Sequence, residues 1–185
     1  MCAYCGCHTK ITRRFAPIAA YIESLLAEIR LLAAATPARR VLRLHWGGGT
    51  PSMLGGAGLR QVTAALAQAF DLSELTEHAM ELDPRSVDAE LTRTLSAIGV
   101  TRASLGVQDF DPDVQVAIGR VQPFAAVRDA VERLRDAGIA ALSLDLIYGL
   151  PHQTEERLAH SLTLAHALAP DRIALFGYAH VPWLK

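Results

Sequence analysis

Val41-Leu42-Arg43-Leu44-His45-Trp46-Gly47-Gly48-Gly49-Thr50-Pro51 joins a short β-prone run to a glycine-rich turn. Residues 41–46 read as a strand feeding a tight loop. Ahead of it, Ile18, Ile22, Leu25, Leu26, Ile29 and Leu32 recur at helical spacing and Pro37 stops the run, which predicts a helix over 18–35. Beyond it the pattern predicts a helix over 59–70, then a strand over 79–82 closed by Asp83-Pro84. The glycine turn therefore sits inside a strand–helix alternation.

The alternation continues to the end of the chain. Ser86 is expected to cap a helix carrying Val87, Leu91, Leu95 and Ile98, which Gly99 ends. A strand follows at 103–107. Asp111-Pro112 starts the next helix, with proline in the first turn where its missing N–H does no harm. Residues 124–137 read as a helix. Residues 139–147 are apolar enough for a strand buried on both faces. A helix at 154–168 and a strand at 172–178 complete the series. Strands alternating strictly with helices imply a parallel sheet with helices outside it, an α/β fold. Gly47 to Thr50, Glu81, Gln108, Asp145 and Tyr178 to His180 all fall where strands end. Such positions form the mouth of a TIM-like (β/α) barrel, where barrel enzymes place their chemistry. A complete barrel usually needs ~250 residues. The 185 residues are expected to form a partial barrel, one incomplete domain over 1–185 that begins in a loop.

Composition narrows the class. Hydrophobic residues make up 51% and charged residues 20%, a globular balance. A net charge of -1 gives no basic footprint for nucleic acid. No apolar run approaches the ~20 residues of a membrane span, and no signal-peptide pattern opens the chain, so the expectation is a cytoplasmic protein. All three cysteines, Cys2, Cys5 and Cys7, lie in the first seven residues. A disulfide framework would spread them out; this is a local site.

Cys2-Ala3-Tyr4-Cys5-Gly6-Cys7-His8 leaves two chemistries open, a structural metal or an iron–sulfur centre. Four zinc ligands exist on paper, but adjacent Cys7 and His8 would strain to reach one ion. The Gly47 to Thr50 loop favours a site where backbone approaches a ligand closely. It is not a nucleotide-phosphate loop, because no Gly-Lys-Ser/Thr follows. Taken singly, Asp145 reads equally as a cap or salt-bridge residue and Arg120 as a solvated helix-end charge. Gln108 reads as structural, and His45 and Trp46 as packing residues.

The ordered set resembles the radical S-adenosylmethionine superfamily: Cys-x-x-Cys, a strand, then Gly-Gly-Gly-Thr-Pro. Glu81-Leu82-Asp83-Pro84, Gly106-Val107-Gln108-Asp109-Phe110 and Asp145 through Thr154 resemble its oxygen-independent coproporphyrinogen III dehydrogenase branch, as does Tyr178-Ala179-His180. The resemblance implies that Cys2 and Cys5 are two of three thiolates holding a 4Fe–4S cluster, whereas Cys7 is not a ligand. It implies that Gly48 and Glu81 contact a first S-adenosylmethionine, with Tyr4 beside its adenine. Gly49, Thr50, Gln108, Arg120, Asp145 and Ala179 would contact a second. No catalytic residue is assigned.

The implied reaction is oxidative decarboxylation of two propionates of coproporphyrinogen III to vinyl groups, in haem biosynthesis. A 5′-deoxyadenosyl radical removes a propionate β-hydrogen, and loss of carbon dioxide and one electron follows. The electron donor is not identified by sequence, and the full-length protein is expected to be a monomer that needs neither nucleic acid nor membrane. The family's first cluster cysteine lies upstream of Cys2, so the chain by itself is expected to be inactive and truncated at both ends. A related haem-chaperone branch is the alternative; Gly6, Cys7 and Asp109 speak against it. A zinc-stabilised barrel is more distant.

Overall fold

The computed structural model describes residues 4–5, 15–37 and 39–179. Helix α1 spans Phe15–Ala35, strand β1 Arg43–Trp46, α2 Gly55–Ala69, β2 Glu77–Leu82 and α3 Ala89–Ala97. They are followed by β3 Arg102–Gln108, α4 Pro112–Ala117, α5 Phe124–Asp136, β4 Ala141–Tyr148, α6 Glu155–Ala167 and β5 Arg172–Gly177. All neighbouring strands pair in parallel, in the order β1-β2-β3-β4-β5. Sequential order with same-handed crossovers carries the main helices to one side of the sheet, while α4 packs separately against Ile147. A doubly wound sheet would reverse its order and split the helices. The five-stranded sheet is therefore an arc of a barrel.

One apolar core joins that helical layer to the sheet. Ile22 and Leu26 of α1, Leu59 and Val62 of α2, and Leu91 and Leu95 of α3 are buried in it. From the strands come Met80 and Leu82, then Ala103, Leu105 and Val107, and Leu142, Leu144 and Leu146. Period-two alternation turns the residues between them to the opposite face. The strand expected at 139–147 is buried on both faces, but its second face carries Ser143 and Asp145 rather than aliphatic groups.

Two local expectations change. Helix α2 begins at Gly55, earlier than apolar spacing predicts. A Cβ on Gly58 would stand 2.6 Å from Cδ1 of Ile22, so glycine lets α1 and α2 approach closely. That packing outweighs glycine's low helix propensity. Ser86 does not cap α3. It lies in the 3-10 turn Pro84–Ser86, and Asp88 is the cap, accepting the Leu91 N–H at 2.8 Å. Asp111 caps α4 as its sequence context predicts, and Thr154, expected as the first residue of α6, is its cap.

Candidate functional site

The face opposite the helices carries polar groups at the C-terminal ends of the strands. On β1 and β2, His45 is the Cα partner of Ala79, two residues before Glu81. Glu81 is paired with Ser104 of β3, and Gly106 with Asp145 of β4. Glu81 and Ser104 are thus partners, and Asp145, one step along the same face of β4 from Ser143, the partner of Ser104, lies next to them.

Glu81 is held by the glycine loop. Its Oε2 accepts from the Gly48 N–H at 3.3 Å, and its Oε1 meets Nε2 of His45 at 3.2 Å. Gly48 and Gly49 have φ of 72° and 54°, a region open to glycine without strain. A Cβ on Gly47 would come within 3.1 Å of both Glu81 Oε1 and His45 Nε2. The glycines thus let the main chain wrap a carboxylate that remains 45% exposed and able to accept further hydrogen bonds. His45, which sequence favours as a packing residue, is exposed and belongs to this group. Its place two positions after Arg43 on a period-two strand is the signal that could have revealed it.

Asp145 accepts the Ser104 hydroxyl, whose Oγ is 2.9 Å from each carboxylate oxygen. Burial, chiefly, and the neighbouring Glu81 charge push its pKa above the ordinary value. Among the described residues it neither caps a helix nor forms an ion pair.

Gln108 and Arg120 meet around Gly106. The β3–β4 register shifts between Gly106 and Gln108, and Gln108 takes φ 69° with 9% exposure. A Cβ on Gly106 would lie 2.8 Å from Gln108 Nε2 and 3.2 Å from an Arg120 guanidinium nitrogen. Arg120 donates to the Gly106 carbonyl at 2.8 Å and to Gln122 Oε1 at 3.1 Å, and pairs with Asp83 at 3.4 Å. At 11% exposure it is not a solvated helix-end charge. Burial raises the Asp83 carboxyl, but hydrogen bonds from Arg85 and the Arg120 charge hold it below its ordinary value.

Behind this bulge lies a buried network that sequence reading missed. Asp109, 0% exposed, accepts from Ser161 Oγ at 2.8 Å, from Gln153 Nε2 and from the Asp111 N–H. Gln115 bridges the Asp109 and Gln122 carbonyls, each at 2.9 Å. The segment is fixed by side-chain bonds where no ladder bond is possible.

Tyr4 and Tyr178 pack on an apolar cluster of Val114, Ile118, Ile147 and Leu150. Their neighbours Cys5, half-buried, and Ala179, exposed, are thereby brought to the same end of the fold. Thr50 is half-buried at the start of the 3-10 turn Pro51–Leu54. Cys2, Cys7 and His180 lie outside the described residues.

Residues 1–165 match the model of the radical SAM superfamily. The chain is 47% identical over 185 residues to an oxygen-independent coproporphyrinogen III oxidase of Paracoccus denitrificans. It is 48% identical over 186 residues to one of Bradyrhizobium diazoefficiens. It covers 41% of the length of each, with its own length matched in full. The solved coproporphyrinogen III oxidase from Escherichia coli, described as a radical SAM enzyme, superposes with a TM-score of 0.93 at 36% identity. That match covers 100% of this chain and 42% of the other. The chain belongs to the radical SAM superfamily.

Membership implies a 4Fe–4S cluster and S-adenosylmethionine, and the donor set fits both. Cys5 offers a thiolate of the kind iron–sulfur clusters take. The glycine loop and exposed Glu81 oxygens suit a ligand rich in hydroxyl and ammonium donors. No helix among the described residues is long and apolar enough to cross a membrane.

Proposed function

We propose that this chain is part of an oxygen-independent coproporphyrinogen III oxidase that converts coproporphyrinogen III to protoporphyrinogen IX. The observation that carries the reading is the pair of carboxylates on one face, Glu81 braced by Gly48 and His45 and Asp145 near it. The 47% and 48% identities to relatives of that name support it. Cys2 and Cys5 would hold the cluster with a third thiolate. When bound, the cluster and S-adenosylmethionine supply the radical that removes a hydrogen from the propionate β-carbon.

The chain's own residues bind and orient. Glu81 accepts from ribose hydroxyls or the ammonium of a first S-adenosylmethionine, with Gly48 closing against it and Tyr4 beside its adenine. Gly49, Thr50, Gln108, Arg120, Asp145 and Ala179 receive a second molecule. Arg120 reaches it from a guanidinium already oriented by Gly106 and Asp83, so little rotamer freedom is lost on binding. The apolar patch under Tyr4 and Tyr178 keeps water from the same end.

The test is anaerobic reconstitution of the polypeptide that carries this chain together with the flanking length its relatives have. Substrate-dependent release of 5′-deoxyadenosine and formation of protoporphyrinogen IX support the reading. Cleavage of S-adenosylmethionine with no change in coproporphyrinogen III would overturn it.

A further inference from the structure

Barrel interiors are ordinarily filled by layers of branched aliphatic side chains. The helix-free face here departs from that most sharply at the N-terminal ends of the strands, opposite the Glu81 end. Arg43 of β1 is the Cα partner of Glu77 of β2. Arg102 of β3 stands opposite Ala141, and Arg172 of β5 opposite Ser143, two residues further along β4. These register positions set three arginines and one glutamate in a band across the sheet.

The one carboxylate is already engaged. Arg102 donates Nε and Nη2 to the two Glu77 oxygens at 2.9 and 3.2 Å. That bidentate bond, then the charges of Arg102, Arg43 and Arg172, hold Glu77 below its ordinary pKa despite some burial. Arg43 and Arg172 contribute charge there yet make no hydrogen bond or ion pair with another side chain among the described residues. Among the described residues the band thus sets three guanidinium groups against one carboxylate. Between them and the glycine loop the face bears the small side chains Ala79, Ser104 and Ala174.

We propose that Arg43, Arg102 and Arg172 form a carboxylate subsite that seats a propionate arm of the porphyrinogen; this rests on the substrate reading above. Guanidinium groups match carboxylates in geometry as well as charge. From Glu77 to Glu81 is four steps of β2, ~13 Å at about 3.3 Å per residue. A tetrapyrrole macrocycle bearing propionates on opposite edges would span a distance of that order, one arm anchored and another presented at the Glu81 end. The anchored carboxylate would identify the substrate without meeting the reacting atoms.

Coproporphyrin III, the stable oxidised form with free propionates, is the probe, compared with its amide in which every carboxylate is neutral. Each is titrated into the polypeptide that carries this chain together with the flanking length its relatives have, and followed by porphyrin fluorescence. The acid form is expected to bind roughly tenfold or more tightly than the amide, with an affinity that falls as salt rises. Arg43→Gln with Arg172→Gln should weaken the acid form by about tenfold or more while leaving the amide unchanged. Circular dichroism of this double variant should match the parent, because neither side chain bonds another. Equal binding of the acid form by parent and variant overturns the subsite and leaves the substrate reading standing. If the parent binds neither porphyrin, the subsite falls, and formation of protoporphyrinogen IX decides the substrate reading separately.

Discussion

The indole N–H of Trp46 donates to Nε2 of His78 across 2.7 Å, tying the residue before the glycine loop to the buried middle of the sheet. The rings stack with centroids 6.2 Å apart. Because Nε2 accepts, the ring proton belongs on Nδ1, on the side of the Ile98 and Gly99 backbone. His78 is 2% exposed, and burial above all depresses its pKa from 6.5. The sign follows from linkage. The stability attached to the neutral ring is complete above 6.5 and declines as pH falls, because the unfolded chain takes the proton first. Urea midpoints should therefore drop between about pH 7 and about pH 5. His78→Phe should flatten that contribution and, by orphaning the Trp46 N–H, cost about 1–3 kcal/mol at neutral pH. A parent with no acid loss in this window would contradict the buried neutral ring.

Glu81→Gln keeps the shape of the side chain and removes its charge. The carboxamide can still accept from Gly48 with its one oxygen, but it presents an N–H2 where a ligand donor should meet an acceptor. Affinity for S-adenosylhomocysteine, measured by calorimetry, should fall by ~1.5–3 kcal/mol, the range for a bond to a charged group. The melting temperature should barely move, since the parent carboxylate is 45% exposed. Unchanged affinity would remove Glu81 from the ligand site.

Much of this was legible in the chain. Helical spacing in α1 and the cap at Asp111 are local signals, and both hold in the structure. The strand ends carrying Glu81, Gln108 and Asp145 were legible because a parallel sheet puts every strand's C-terminus on one side. What escaped depends on register between strands. Nothing near His45 says that Glu81 lies across from it, and nothing near Arg120 says that the Gly106 carbonyl will receive it. The early start of α2 escaped because the reason for glycine at 58, Ile22, is on another helix. Ser86 misled because Ser86 and Asp88 are both good caps, and the 3-10 turn after Asp83 decides between them.

Asp109 should behave as a structural anchor with a functional consequence. Removing it by Asp109→Ala leaves buried Ser161, half-buried Gln153 and the half-buried Asp111 N–H without this acceptor. A loss of about 3 kcal/mol or more is expected in chemical unfolding. Asp109→Asn, which retains one acceptor oxygen, should lose less. Equal, small losses in both variants would show that the network does not hold the β3 bulge.

Asp145 sets stability against function. Burial first, then the Glu81 charge, raise its pKa above 3.8, although Ser104 bonds its carboxylate. A carboxyl raised by folding contributes its full stability only below the ordinary value, where it is protonated, and loses it as pH climbs through the raised one. At neutral pH the ionised group is thus a cost that the fold carries until a donor from a ligand arrives. Asp145→Asn removes the charge, keeps the volume and can still accept from Ser104. The variant should melt at a higher temperature than the parent near about pH 7, with the difference shrinking toward about pH 4 as the parent carboxyl gains its proton. Its affinity for an adenosyl ligand should fall, because an amide accepts ribose or ammonium donors less strongly than a carboxylate. Thermal scans at the two pH values, paired with a ligand titration, test both halves. A variant less stable than the parent at neutral pH would show that the carboxylate is a net support of the fold, and the assignment of Asp145 to a ligand held ready in the site would lose its physical basis.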